Sequence, residues 1–357
     1  MKRLAHLLDR DVLVTLVMLL LGAVLLIDPL CLVAHADPLG LGAGLVFAGV
    51  LSPGQARVID PILSNVAQGY RDPGFVGHNL FPSVPVQVSG GQVIEFGAED
   101  FKLYNARRAP GSNTKRVEFG YLGKQYSLFN ESLEGKVPDE ISRDAARVPG
   151  INLGTRAVNK VMKILRRSLE VEQAGVALNA TNYDANHKLA LSGVTKWTAS
   201  TGTPLPDIED GKEAIRASIG IRPNVLLCSA VGFNALRYHA SVVDKFKYTT
   251  PDSITEEMLA RLLRLDRVVV GESIYYDETA AANKDIWGNN AVLAYVALGS
   301  MDQEEPSYGY TYTMEGHPMV EEPYRDRNAK SWIYPVTYER KPVLSGMAAA
   351  FLFQNPA

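Results

Sequence analysis

The chain has 357 residues, is 46% hydrophobic and 21% charged, and carries a net charge of −3 at neutral pH. That length suits two or three domains with a sizeable core. The slight acidity argues against a dedicated nucleic-acid binder, while leaving room for weak contact on one face. The two cysteines, Cys31 and Cys228, are too few for a disulfide framework or a thiolate metal site.

Residues 1–50 differ from the rest. Lys2, Arg3 and Arg10 precede an apolar run from Val12 to Ile27, and Ala34-His35-Ala36 follows it. A basic start, an apolar middle and small residues around a cleavage point make a signal-like leader. The run is slightly short for a spanning helix, which needs about 20 apolar residues. Three readings stand side by side: an upstream start wrongly assigned, a targeting or anchoring segment, and a processed assembly peptide. A membrane partner enters only with the second.

From Leu51 to Ser83 the chain reads as an arm. Ile59, Ile62, Leu63 and Val66 follow helical spacing after Ser52-Pro53, and Tyr70-Arg71-Asp72-Pro73-Gly74 ends the helix. Residues 84–128 are β in character. Val86 and Val88 alternate with polar residues, Ser89-Gly90-Gly91 turns the chain, and Phe101–Tyr104 with Val117–Tyr121 forms a second pair. Between the last two lies a polar, basic loop, too long and too hydrophilic to pack on its own core.

Gly154–Leu178 is the strongest predicted helix. Val158, Val161, Leu165, Leu169 and Val176 make an apolar stripe, while Arg156, Lys160, Lys163 and Arg167 share another face. Residues 207–296 alternate helix and strand: helices at Ile208–Ile219, Ala230–Lys247 and Thr255–Leu263, the last capped by Thr255, and strands at Asn224–Cys228, Val268–Val270 and Ala291–Val296. From Tyr308 the chain returns to β, with Tyr308, Tyr310 and Tyr312 alternating, then Ile333–Tyr338 and Met347–Phe353.

The sequence carries no recognisable catalytic constellation. Gly120-Tyr121-Leu122-Gly123-Lys124 has the wrong spacing for a phosphate loop, and Gln125 stands where a hydroxyl is needed. The six histidines lack metal-ligand spacing, and Ser345 lies outside a nucleophile elbow. No catalytic residue, metal site or cofactor is expected, and the chain does not read as an enzyme.

Two charge blocks remain. Residues 98–125 hold six basic side chains (Lys102, Arg107, Arg108, Lys115, Arg116 and Lys124) against three acidic ones. Residues 302–322 hold six acidic side chains, among them Glu304, Glu305, Glu315, Glu321 and Glu322, and no Lys or Arg. Either these are two solvated surfaces, or the basic hairpin reaches an acidic patch on a neighbouring copy. Such complementarity sets register and partner choice more than affinity. The helix stripe divides in the same way, between a wet face and an inner face touching nucleic acid or a neighbour's arm.

These pieces, in this order, resemble the major capsid proteins of tailed bacteriophages with the Hong Kong 97-like fold. The most similar text runs from Arg222-Pro223-Asn224-Val225-Leu226-Leu227 through Phe233, Leu236, His239, Val242 and Phe246-Lys247-Tyr248. It continues in Leu262-Leu263-Arg264-Leu265-Asp266-Arg267-Val268-Val269-Val270-Gly271 and Asp285-Ile286-Trp287-Gly288. Asp60-Pro61-Ile62-Leu63 and Tyr104-Asn105-Ala106-Arg107-Arg108-Ala109-Pro110 fit as well. The resemblance implies an α+β fold: an N-terminal arm over 51–83, an extended β-loop over 84–135, a peripheral domain with a spine helix over 136–206 and 301–357, and an α/β axial domain over 207–300. Residues 1–50 depart from the family.

It also implies a self-assembling icosahedral shell of pentamers and hexamers enclosing double-stranded DNA through weak, non-specific contact. Scaffolding, portal or decoration proteins would be further partners. The protein would belong to the virion, assembled in the host cytoplasm. An encapsulin-like compartment shell is the alternative on the same fold, and a secreted or membrane-anchored binding protein the alternative of another class.

Overall fold

The computed structural model describes residues 59–92, 107, 125–145, 152–247, 254–297 and 307–357, all within one unit, Arg57–Ala357. Helix α1 (Pro61–Gly69) begins at Asp60, whose carboxylate accepts from the Ile62 and Leu63 N–H groups at 2.9 Å, with Pro61 at the first helical position. The expected start at Ser52-Pro53 lies outside the described residues. The chain then forms β1 (Ser83–Val86) and β2 (Gly90–Gln92), and later β3 (Gln125–Ser127) and β4 (Phe129–Pro138). β2 and β3 pair antiparallel, Gly90 opposite Ser127 and Gln92 opposite Gln125. The second predicted hairpin, Phe101–Tyr104 with Val117–Tyr121, falls outside the described residues.

After α2 (Asp139–Ala145) comes α3 (Leu153–Ala177), 25 residues long. At 1.5 Å per residue it spans about 37 Å. Asn152 caps it, accepting from the Thr155 N–H at 3.1 Å. Next come β5 (Lys188–Ala190), α4 (Pro204–Ile219) and β6 (Val225–Ser229). The predicted single helix Ala230–Lys247 is instead two, α5 (Ala230–Tyr238) and α6 (Ala240–Phe246). His239 takes an extended conformation (φ −64°, ψ 135°) and its ring caps α6, so the helical ladder stops there. α7 (Glu256–Leu263) is capped by the Thr255 hydroxyl, as its sequence position predicts.

The remaining strands are β7 (Arg267–Gly271), β8 (Ile274–Asp277), β9 (Ala282–Asp285), β10 (Asn290–Ala294), β11 (Gly309–Met314), β12 (Met319–Val320), β13 (Tyr324–Asp326), β14 (Ser331–Leu344) and β15 (Ala350–Gln354). β14 is more than twice as long as the predicted Ile333–Tyr338. One of its edges pairs with β4 over ten residue pairs, and the other serves β13, β12 and β11 in turn. With β1 alongside β11 this makes a six-stranded sheet.

A second, five-stranded sheet has the order β5-β15-β10-β6-β7. β15 lies antiparallel to β10, Phe353 opposite Ala291 and Phe351 opposite Leu293. All its residues but Gln354 are buried, so the apolar run Ala350–Phe353 is satisfied only inside the second sheet.

Helix α3 belongs to both cores. Its Val158, Val161, Met162 and Leu165 pack with Leu63 and Ala67 of α1 and with Val336 and Tyr338 of the first sheet. Its Ala174 and Ala177 enter the larger core built on the second sheet, with Ile208, Ile215, Leu226 and Phe353. The predicted stripe is therefore real, but its two halves face different sheets.

Candidate assembly surfaces and the buried junction beneath them

Of the predicted basic loop residues, Lys102, Arg108, Lys115, Arg116 and Lys124 lie outside the described residues, and Arg107 is exposed. Of the acidic set, Glu304 and Glu305 also lie outside. Glu315 and Glu322 are exposed, and the half-buried Glu321 accepts from the Thr337 hydroxyl at 3.3 Å. On α3, Arg156, Lys160 and Lys163 are exposed, and Lys163 pairs with Asp72 of the arm at 3.4 Å. Arg167 is half-buried with its Nε enclosed and unpaired. Ile164 and Val171 are exposed on the same helix, so this flank is mixed apolar and basic.

The interior beneath these surfaces holds charges that the sequence reading missed. Glu170 is 2% exposed. Its Oε1 accepts from the Val76 N–H at 3.0 Å, the Gly77 N–H at 3.0 Å and the Trp287 indole at 2.7 Å, and its Oε2 accepts from Gly77 at 2.9 Å. One carboxylate thus ties the arm, the long helix and the α/β part of the fold. Burial raises its pKa, and the bonds from Trp287 and from the Gly77 and Val76 N–H groups act against that rise. A Cβ added at Gly77 would meet the ends of the Gln173 and Glu170 side chains, so a larger residue there would have to displace them. A signal existed in the sequence. Glu170 and Gln173 occupy core-facing positions of the α3 spacing, where an apolar residue is the default.

Arg340 of β14 is the second buried charge. Its Nη2 donates to Glu131 at 2.7 Å and to the Leu165 carbonyl at 2.8 Å, and its Nη1 donates to Glu172 at 3.1 Å. Burial raises the Glu172 pKa, while Arg340 pulls it down. The guanidinium also lies 5.0 Å from the Tyr338 ring centroid. It fastens β14, β4 and α3 through a planar fork that a lysine cannot reproduce.

One cluster has the connectivity of a nucleophilic triad. Ser218 Oγ lies 3.0 Å from His187 Nε2, and His187 Nδ1 lies 2.7 Å from Asp184. Ser218 belongs to the last turn of α4, where the helix presents carbonyls. Acyl transfer needs N–H donors aimed at the developing oxyanion, so this end of a helix has the wrong polarity. The trio joins the Asp184 turn to α4.

Among the described residues, no group of three or more His, Cys, Asp or Glu could hold a metal ion, and no helix is long and apolar enough to cross a membrane. The apolar run Val12–Ile27 lies outside them. Cys228 is buried, which pushes its thiol up to about 12.

Comparison with known proteins gives this geometry a context. A family model described as phage major capsid protein E matches residues 181–332. The major capsid protein of Burkholderia phage BcepMu is 35% identical over 304 residues, covering 84% of this chain and 97% of that protein. The crystal structure of a phage-related protein from Bordetella bronchiseptica RB50 is 46% identical, with a TM-score of 0.75 over 85% of this chain and 99% of that one. The capsid structure of cyanophage P-SCSP1u shares the fold at 10% identity, with a TM-score of 0.52 over 88% of this chain and 93% of that one.

Proposed function

The chain belongs to the family of phage major capsid proteins, and from that premise we propose that it is organised and assembles in the Hong Kong 97-like manner. It is a structural protein of the capsid, built to associate with copies of itself. In this reading residues 51–83 are the arm and 84–135 the extended loop. Residues 136–206 and 301–357 form the peripheral domain around α3. Residues 207–300 form the axial domain. The observation that carries the proposal is α3 itself, a long helix whose first half is packed on one sheet and whose end is built into the core of the other. A subunit braced in this way transmits contacts made by its arm and loop to its α/β part without bending.

Pentamers and hexamers would form through the α/β parts. Arms and extended loops would fasten them into an icosahedral shell around double-stranded DNA, assembled in the host cytoplasm. Each contact can be weak because every subunit makes several at once. Portal, scaffolding and decoration proteins would be further partners. The capsid descriptions of the family model and of the relative at 35% identity favour this reading over a compartment shell or a secreted binder.

The loop contact is tested by reversing Arg107 and Arg108 together to Glu in the full chain. The proposal expects a folded subunit, judged by circular dichroism, that no longer forms shells under conditions where the unmodified chain does. Normal shells from the double variant would overturn the basic-loop contact.

A further inference from the structure

The arm crosses α3 soon after α1 ends. Lys163, Arg166 and Glu170 follow one another at three- and four-residue spacing, on one face of that helix. Asp72 of the arm pairs with Lys163 at 3.4 Å, and the Val76 and Gly77 N–H groups donate to Glu170, so arm residues 72–77 lie along that face. Arg71 and His78 flank this stretch. Arg267, which opens β7, donates to Asn79 Oδ1 at 2.9 Å and so stands beside His78. Basic side chains from three segments therefore meet where the arm, α3 and the α/β part join.

Nothing acidic balances this cluster among the described residues. Arg71, Arg166 and Arg267 form no ion pair there. Asp72 is held by Lys163, and the buried Glu170 is engaged by the Val76, Gly77 and Trp287 N–H groups. Asp266 precedes Arg267 in the chain and pairs with none of the four. Arg166 is half-buried. Desolvation lowers its pKa, and so does the charge of Arg71. Desolvation and the charges of Arg71, Arg267 and Arg166 lower that of His78. Like charges held together without a counter-ion carry a cost that a bound anion removes. The cluster also continues a longer track. Residues 152–169 hold Arg156, Lys160, Lys163, Arg166 and Arg167 and no Asp or Glu. From Arg156 to Arg167 the helix rises about 16 Å.

We propose that this track binds the phosphodiester backbone of double-stranded DNA, with Arg71, Arg166 and Arg267 as its main phosphate contacts, and that this flank of the subunit is the inner one. The proposal rests on the shell reading and names the residues of its weak DNA contact. Two features select this ligand. Cations repeating at roughly 5 Å along a helix suit a polyanion, with a charge about every 1.7 Å of duplex, better than an isolated carboxylate. The cluster is also built on arginines, whose planar forks match pairs of phosphate oxygens. Backbone contacts carry no sequence information, so the binding is non-specific.

The test measures binding of a short fluorescent duplex of arbitrary sequence to the unassembled full chain, by anisotropy over a range of salt concentrations. The logarithm of affinity should fall linearly with the logarithm of salt concentration. Arg71→Gln, Arg166→Gln and Arg267→Gln together should flatten that slope by about one for each arginine. Arg71 is exposed, so Arg71→Gln alone keeps the test available if the triple variant does not fold, and should flatten the slope by about one. A control that removes the same charge elsewhere, Arg222→Gln with Lys245→Gln and Arg261→Gln, should leave the slope unchanged. A native slope from the cluster variants, or an equal loss from the control, would overturn the proposal and leave the shell reading intact. So would inorganic phosphate shifting the His78 resonance while the duplex does not bind, which would mark a site for small anions only. Loss of shells from the triple variant with duplex binding unchanged would overturn it in favour of a contact between copies. A native chain that forms no shells would overturn the shell reading, and the slopes would still decide the track.

Discussion

Glu170 and Trp287 meet at 2.7 Å although 117 positions separate them in the chain. The same carboxylate holds the Val76 and Gly77 N–H groups, so one side chain fixes the arm, the long helix and the α/β part together. Replacing Glu170 by Ala would leave three buried donors without an acceptor. Each such loss costs about 1–3 kcal/mol, and we expect a total on the order of 4 kcal/mol. Urea denaturation of the unassembled subunit measures it, and a loss below about 1 kcal/mol would show that the junction is not a structural node.

The pH dependence of that node has a definite sign. Burial raises the folded-state pKa of Glu170 above its ordinary value of 4.5. The folded state therefore holds the proton more tightly than the unfolded chain. The resulting stabilisation is fully present below the unfolded pKa and is lost as pH rises through the folded one. Glu170→Gln has no such titration. The stability difference between native and E170Q protein should shift in favour of E170Q as pH is raised from about 4.5. A difference independent of pH would contradict this.

Arg340 supplies the cation for Glu131 and Glu172 and fills a site it shares with the Leu165 carbonyl. Arg340→Ala strands two carboxylates beside an emptied core position and should cost about 3–5 kcal/mol. Arg340→Lys keeps the charge but not the fork, and should fall between native and Ala. Equal stabilities for the Lys and Ala variants would show that geometry, not charge, dominates there.

Gly309 opens β11 where the arm passes beneath it. An added Cβ would stand 2.7 Å and 2.8 Å from carbons of the Phe81 ring and 2.8 Å from the Val343 carbonyl. Phe81 is fully buried and cannot swing aside. Gly309→Ala should cost about 1–3 kcal/mol, read as a lowered denaturation midpoint.

The parts of this fold written in local sequence were legible. The α3 stripe, the Thr255 cap and the apolar strands Val225–Cys228 and Ala291–Ala294 each carry their own period or punctuation. The break at His239 was not, because nothing in an apolar-periodic run from Ala230 to Lys247 announces that one histidine will leave the helix and cap the next. The placement of β15 beside β10 was not, because pairing partners some 60 residues apart leave no local trace. The site divides in the same way. The charge blocks were visible as composition, and Glu170 as a charge at a core-facing position of α3, whereas the partners of Glu170 and Arg340 come together only once distant segments meet. The hairpin β8–β9 leaves little trace in the sequence because its strands hold four residues each and β9 is exposed throughout.

The most direct test of the central claim is electron microscopy of the purified full chain, expressed alone and concentrated. The account predicts closed shells, or rings of subunits joined head to tail. A uniform population of monomers at high concentration, without aggregation, would contradict it.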